Sequence, residues 1–218
     1  IFKVFLFNTK KKRVKFFSDS EIICKELKRF YSIKINHLPV PLLGYKKKFI
    51  KKDYLILPGE PRLEKGLDTF LFLHNYFQND FKFFVSKKIK KIKKLKNLNY
   101  FGENLDKKKF MLNIIKSEIA ILAYDTNIYK SATSGIFINC VELKTIPLVN
   151  DGTWMAYICK QYDIECLVMK NKFEYYNFLN KYKNNKNFKS LILKKFDKFR
   201  NAILKNYSKN EFIKNLEI

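Results

Sequence analysis

The sequence is poor in the residues that build metal centres and disulfide frameworks. Its 218 residues include two histidines, His37 and His74, which argues against a histidine-based metal site. The four cysteines form no CxxC pair and lie among apolar neighbours, so we interpret them as small buried thiols of a reduced, cytoplasmic protein. No run of about 18 apolar residues is present to span a membrane, and no signal peptide is recognisable.

Acidic residues are also scarce. The chain has 20 of them against 45 lysines and arginines, which gives a formal net charge of +25. Such a surface attracts phosphates, nucleic acids and anionic lipid headgroups. Abundant lysine, asparagine, isoleucine and phenylalanine also result from an A/T-rich genome, so the charge by itself says little about function. The first residue is Ile1 rather than methionine, so we expect a piece of a longer chain, although processing would give the same start.

Hydrophobic residues make up 47% of the sequence, enough for a sizeable core. Apolar runs of strand length alternate with helical patterns. Strands are predicted at residues 14–17, 35–38, 54–57, 81–85, 98–101, 119–123, 146–149 and 165–169. Helices are predicted near residues 18–30, 67–74, 106–116, 134–143 and 153–161, and from 173 to the end. This alternation implies βαβ units and an α/β fold with a parallel sheet.

Two of the predicted helices have clear markers in the sequence. Ser18 is predicted to be the N-cap of the first, with Glu21 completing a capping box and Phe30 on the apolar face. In the second, His74 falls on the apolar face, so we interpret it as a core histidine rather than a catalyst.

A glycine-containing turn follows the predicted strand at residues 54–57. Gly59 lets the backbone approach a ligand closely. Arg62 and Lys65 are three residues apart, so one helical turn would place them on the same side. A guanidinium and an ammonium group together suit a diphosphate. The alternative is an ordinary turn followed by a solvated charged surface.

A second candidate site lies at the start of the helix predicted at residues 134–143. Thr133, Ser134 and Gly135 leave backbone N–H groups free, and these groups and the helix dipole form an anion site. The alternative is an ordinary N-cap. Because both candidate sites follow strands of one predicted parallel sheet, where ligands bind at the carboxyl ends of strands, each supports the other.

Two further segments have less specific patterns. Asp151 and Gly152 predict a turn, Thr153 is a candidate N-cap, and Trp154 is expected to pack in the core. Residues 87–96 have an apolar residue at every third position with lysines between. Such a helix rests on an anionic membrane surface or turns its apolar side to the core, and we favour the core.

These segments together resemble group 1 (family 4) glycosyltransferases of the GT-B fold. Residues 57–66, LPGEPRLEKG, resemble the family's G-x-x-R-x-x-K-G turn. Residues 117–137 are similar to its segment sD-x-x-L-x-Y-d…Y…SG-x-f, and residues 146–154 to its P-x-V…gTW. Residues 16–21 and 38–41 look like its last N-domain strand, helix and entry to the linker.

The resemblance covers about residues 13–170 and implies two facing Rossmann-like domains in the full protein. Residues 1–45 would be a remnant of the acceptor-binding N-terminal domain and the linker. Residues 46–218 would be the nucleotide-sugar-binding domain, a Rossmann-like parallel sheet with helices on both faces and additional C-terminal helices.

The resemblance further implies transfer of a sugar from a nucleotide sugar, with retention and without a metal or other cofactor. Arg62 and Lys65 would be the catalytic residues that hold the donor diphosphate and neutralise the leaving group. The implied donor-binding residues are Gly59, Tyr124, Thr133, Ser134, Gly135 and Asn139. The expected setting is cytoplasmic cell-surface polysaccharide biosynthesis, with peripheral contact to the anionic inner face of the membrane and no specific nucleic acid.

Two positions depart from the family's pattern. Ala132 stands where arginine is common before the [ST]SG triplet, and Asn139 stands where a glutamate contacts the donor ribose. Asn139 keeps the capacity to hydrogen-bond a ribose hydroxyl but carries no charge. Two alternatives follow: a degenerate, inactive glycosyltransferase, or a basic module that binds nucleic acid or anionic membrane without catalysis.

Overall fold

The computed structural model of the protein describes residues 16–39, 41–42, 44, 54–91, 97–102 and 106–216. The strands are β1 Phe17–Ser18, β2 Asn36–His37, β3 Tyr54–Ile56, β4 Lys82–Ser86, β5 Leu98–Phe101, β6 Ile119–Leu122, β7 Ile146–Asn150 and β8 Val168–Met169. The α-helices are α1 Glu21–Tyr31, α2 Leu67–Phe77, α3 Lys107–Lys116, α4 Thr126–Tyr129, α5 Gly135–Glu142, α6 Trp154–Gln161, α7 Lys172–Asn184, α8 Lys186–Asn206 and α9 Lys209–Leu216. Short 3₁₀ segments occur at Leu63–Lys65, Lys87–Lys91 and Glu165–Leu167.

A six-stranded parallel sheet with the order β5-β4-β3-β6-β7-β8 forms the centre of the fold. β3 and β6 lie side by side, with Leu55 opposite Ile119. The chain adds strands outward from β3 to β5 and then from β6 to β8, so the strand order reverses between β3 and β6. In sheets of this kind, ligands bind beyond the carboxyl ends of the strands at the reversal.

The two central strands are buried because helices cover the sheet on both sides. Leu55 and Ile56 of β3 and every residue of β6 are inaccessible to solvent. One group of helices consists of α3, α5 and α8, in which α5 contacts both of the others. A second group consists of α2 and α7, which contact each other. Continuously apolar strands are what a parallel sheet between two helix layers requires. The predicted Rossmann-like α/β fold is therefore confirmed.

A smaller parallel sheet of β1 and β2, connected by α1, precedes the large one. The predicted N-cap is wrong here, because Ser18 still belongs to β1. Ser20 caps α1 instead, its Oγ accepting from the Ile23 amide at 3.4 Å, and the helix begins at Glu21. Phe30 is 67% exposed, and α1 contains no fully buried residue because its partner sheet has only two short strands.

The other predicted elements occur with shifts of a few residues, apart from two differences. The predicted strand at residues 165–169 is a 3₁₀ turn in its first half, and only β8 pairs with β7. α4 was not predicted, and it forms where the Asp125 carboxylate accepts from the Asn127 amide at 2.8 Å. Ile89 is fully buried, which favours the core-facing alternative for its segment, although residues 92–96 lie outside the described residues.

Several expectations for single residues are also confirmed. His74 is buried, and its ring packs edge-to-face on Phe83. Thr153 caps α6, its Oγ1 accepting from the Ala156 amide at 3.2 Å. The four cysteines are free, but only Cys140 and Cys159 are fully buried, whereas the other two are half-buried. Among the described helices, none has the length and hydropathy needed to cross a membrane.

Candidate functional site

The turn after β3 has a backbone that requires glycine at both ends. Gly59 has φ of +86° and Gly66 has φ of +84°, in the left-handed region that L side chains rarely adopt. A Cβ on Gly66 would lie 2.6 Å from Ala123 Cβ and 2.7 Å from the Ala123 carbonyl oxygen. The glycine therefore lets this turn, which we call the clamp turn (residues 59–66), lie directly against the end of β6.

Arg62 and Lys65 lie at the two ends of a single 3₁₀ turn within the clamp turn. The Lys65 amide donates to the Arg62 carbonyl at 3.0 Å, and Arg62 itself has the extended backbone of an N-cap residue. Burial, and secondly the neighbouring Arg62 guanidinium, lower the pKa of Lys65. Arg62 is half exposed and pairs with Glu64 at 3.0 Å. The two cations are therefore close enough to interact, with the Glu64 and Glu60 carboxylates as partial counter-charges, while their placement on one side stays a prediction.

The second turn, residues 131–135, leads into α5. Ser134 is the N-cap, and its Oγ accepts from the Phe137 amide at 3.2 Å. The N–H groups of Gly135 and Ile136 lie in the first turn of the helix, where no intrahelical acceptor exists. Gly135 itself is exposed, and a Cβ there would meet open space. Ser134 is thus an ordinary N-cap, and the first N–H groups of α5 also remain free to bind an anion.

Tyr124 connects the clamp turn to the second turn. Its ring lies 5.9 Å from Lys65 Nζ, and its hydroxyl lies beside the Ser134 side chain. Burial raises the pKa of Tyr124, so the hydroxyl stays protonated at neutral pH. Next to it, the Asp125 amide donates to the Glu64 carbonyl at 2.9 Å. Three loops at the carboxyl edge of the sheet are therefore tied together.

A cleft of about 180 Å³ opens beside the second turn. It is lined by Asp19, Pro41, Lys107, Thr133, Ser134, Gly135, Ile138, Asn139, Trp154 and Tyr207. Asn139 thus faces the same space as Thr133, Ser134 and Gly135. Trp154 packs as expected, at 1% exposure, but its Nε1 also donates to the Glu21 carboxylate at 3.1 Å.

The structure divides the predicted site residues into two neighbouring groups. Arg62 and Lys65 lie close to Tyr124, which reaches Ser134, whereas Asn139 lines the main cleft. Gly59 is not among the residues that line that cleft. It lines a second one of about 150 Å³ together with Ser86 and Gly102, at the ends of neighbouring strands, and a Cβ on Gly59 would lie 3.3 Å from Ile136 Cδ1.

Sequence reasoning missed two charged residues of the main cleft, Asp19 and Lys107. Asp19 directly follows β1, and a polar residue at the end of a parallel strand was the available sign. Lys107 begins α3 beside the capping residue Asp106, where the pattern indicated only a helix start. Among the described residues, no group of three His, Cys, Asp or Glu side chains could hold a metal ion.

No family model and no curated protein matches this chain in sequence. Solved structures do match it. A glycosyltransferase from Rickettsia africae superposes with a TM-score of 0.68 at 16% identity, covering 99% of this chain and 65% of the other. WaaG, a glycosyltransferase involved in lipopolysaccharide biosynthesis, superposes with 0.65 at 12% identity, covering 91% and 61%.

An E. coli trehalose-6-phosphate structure bound with UDP-2-fluoro glucose superposes with a TM-score of 0.52 at 11% identity, covering 76% of this chain and 44% of the other. The chain thus spans less than two thirds of each of these proteins. Identities this low establish the fold and not the activity. The chain has the Rossmann-like α/β fold of a GT-B glycosyltransferase half-domain.

Proposed function

We propose that this chain is the donor-binding part of a glycosyltransferase that transfers a sugar from a nucleotide sugar with retention. The observation that carries the proposal is the meeting of a cationic turn and an open helix N-terminus beside the reversal of strand order. Paired cations next to free backbone N–H groups suit a diphosphate. The resemblance to group 1 (family 4) enzymes supports the retaining class.

Arg62 and Lys65 have the main role in this proposal. They bind the donor diphosphate and stabilise the negative charge that develops on it as the bond to the sugar breaks. The half-exposed Arg62 guanidinium can exchange its contact with Glu64 for a phosphate, because an exposed ion pair contributes little. Gly135 supplies an amide donor, Thr133 and Ser134 supply polar contacts near the phosphates, and Asn139 contacts the nucleoside from within the cleft.

Other parts of the proposal rest on the likeness to known enzymes. The donor is a nucleotide sugar, as in the E. coli structure bound with UDP-2-fluoro glucose, and no further cofactor takes part. The acceptor is bound by a second domain, since the chain spans 65% of the Rickettsia africae glycosyltransferase. We place the enzyme in cytoplasmic polysaccharide biosynthesis, at the inner face of the membrane.

Calorimetric titration with UDP, GDP, ADP and their sugar conjugates tests the proposal. We expect one nucleotide to bind, and Arg62→Ala or Lys65→Ala to weaken it by about 10-fold to 100-fold, because each removes a charged hydrogen bond. Arg29→Ala and Lys214→Ala serve as charge-matched controls, since both residues lie on helices outside the site.

Two results would overturn the proposal. One is a folded chain that binds none of these nucleotides. The other is binding that falls equally in the four variants, because that would be an effect of net charge and not of the clamp turn.

A further inference from the structure

The side chains of three consecutive residues, Asp19 to Glu21, form hydrogen bonds with residues in and beside the lining of the cleft. The Thr133 hydroxyl donates to Asp19 Oδ2 at 2.5 Å. The Ser20 hydroxyl donates to the Ser131 carbonyl at 2.7 Å. These bonds join residues more than a hundred positions apart and hold the second turn at two points.

The segment that makes these bonds is itself fixed in place. Ser20 is fully buried and caps α1. Beside it, the Glu21 carboxylate accepts from Trp154 Nε1 and from the Tyr207 hydroxyl, at 3.1 and 3.5 Å, and lies 3.3 Å from His37 Nε2. Asp19 is therefore presented to the second turn by a framework that does not depend on a ligand.

The bond to Asp19 determines how Thr133 faces the cleft. A hydroxyl has one proton, so donating it to Asp19 fixes the side-chain rotamer and leaves the oxygen to act only as an acceptor. Thr133 immediately precedes Ser134, which caps α5 and also contacts Tyr124. A shift of Thr133 would move the cap and the open amides together.

We propose that Asp19 is a positioning residue for the donor site, which holds the second turn in the conformation that binds the nucleotide. This inference rests on the proposed function. The charge of Asp19 cannot itself favour donor binding, since a carboxylate beside a diphosphate repels it. Its effect passes through the hydrogen bond from Thr133.

A double-mutant cycle on nucleotide affinity tests this role, with the best-binding nucleotide of the UDP, GDP and ADP series as the probe. We expect Asp19→Ala and Thr133→Val each to weaken binding by about tenfold, and the double variant to be no weaker than either single one. Asp19→Asn keeps an acceptor oxygen for Thr133 without the charge, and we expect it to restore affinity to within about threefold of wild type.

A matched control comes from a second bond between the same helix and the body of the protein. Lys25 Nζ donates to the Tyr157 hydroxyl at 2.8 Å, and neither residue lines the cleft. Lys25→Ala and Tyr157→Phe should leave nucleotide affinity unchanged even where they lower the unfolding temperature. If they weaken binding as much as Asp19→Ala does, the effect is loss of stability, and the positioning role is wrong.

The other outcomes are equally decisive. Additive losses in the cycle, or an Asp19→Asn variant as weak as Asp19→Ala, would overturn the positioning role while the donor proposal stands. Failure of the wild-type chain to bind any nucleotide would overturn the donor proposal itself. If Asp19→Ala does not fold, the comparison of Thr133→Val with Thr133→Ser decides the question, because only serine retains the hydroxyl.

Discussion

At the scale of single residues, the electrostatics of the site are concentrated on Lys65. Its ammonium group is half-buried beside Arg62, and both burial and the adjacent positive charge favour the neutral amine. A lysine in this state binds a phosphate well, because the phosphate completes the counter-charge that Glu64 and Glu60 provide only in part. The charged and the neutral form of Lys65 therefore differ in how strongly they bind a phosphate.

This difference gives a pH dependence with a definite sign. Because the pKa of Lys65 is lowered, the group loses its proton at a lower pH than an ordinary lysine does. Affinity for a nucleoside diphosphate should fall as the pH rises through that lowered pKa. In Lys65→Arg the positive charge persists, so the fall should disappear.

Titrations between roughly pH 7 and pH 10 measure this effect, with circular dichroism to verify that the fold is retained. An equal decline in wild type and Lys65→Arg would mean that another group titrates, and would remove Lys65 from the phosphate site.

At the scale of elements, the clamp turn depends on how closely it approaches β6. Gly66 ends the 3₁₀ turn and begins α2, and its α-carbon lies against Ala123 immediately after the strand. Any side chain there would meet backbone atoms, which cannot move without disturbing the sheet. The positions of Arg62 and Lys65 therefore depend on a glycine that contacts no ligand.

Gly66→Ala should lower the free energy of unfolding by about 2–4 kcal/mol, through its positive φ and its overlap with Ala123. Gly135→Ala is the matched control, since a Cβ there meets open space, and it should change stability by less than about 1 kcal/mol. Urea denaturation of both variants measures the difference. Equal stability of the two would show that the turn moves away from β6 at little cost.

At the scale of the whole molecule, a net charge of +25 attracts any polyanion, whereas the clamp turn is proposed to bind one specific ligand. Long-range attraction of this kind is screened by salt, whereas contacts in a partly buried site are screened less. The charge alone would make the chain a basic module for nucleic acid or anionic membrane. Salt dependence therefore separates general attraction from specific recognition.

We expect affinity for heparin to fall by about tenfold or more as salt rises from roughly 50 to 200 mM, and to be unaffected by Arg62→Ala. Nucleotide affinity should decline less with salt and should depend on Arg62. Fluorescence titrations at several salt concentrations measure how steeply the affinity for heparin and for the nucleotide falls with salt. An equally steep fall for the two ligands, with nucleotide binding that survives Arg62→Ala, would favour the basic module instead.

The sequence by itself determined the elements and the local geometry of the clamp turn. Short, continuously apolar runs predicted strands buried between two helix layers, and apolar residues at helical spacing predicted the helices. Their alternation predicted a parallel α/β sheet. Arg62 and Lys65 could be placed on one short turn because a spacing of three residues matches the hydrogen bond from the Lys65 amide to the Arg62 carbonyl. Secondary structure and the placement of two residues on one turn depend on neighbours in the chain, so they can be predicted without knowing how the elements pack.

Only the tertiary structure decided which distant residues meet. Asp19 and Thr133 are 114 positions apart, and nothing in their local sequence indicates the bond between them. The N-cap of α1 moved from Ser18 to Ser20 because the pairing of β1 with β2 keeps Ser18 in the strand. The cleft itself arises between helices from separate parts of the chain. Contacts of this sort depend on how the finished elements pack, and packing is a property of the whole fold.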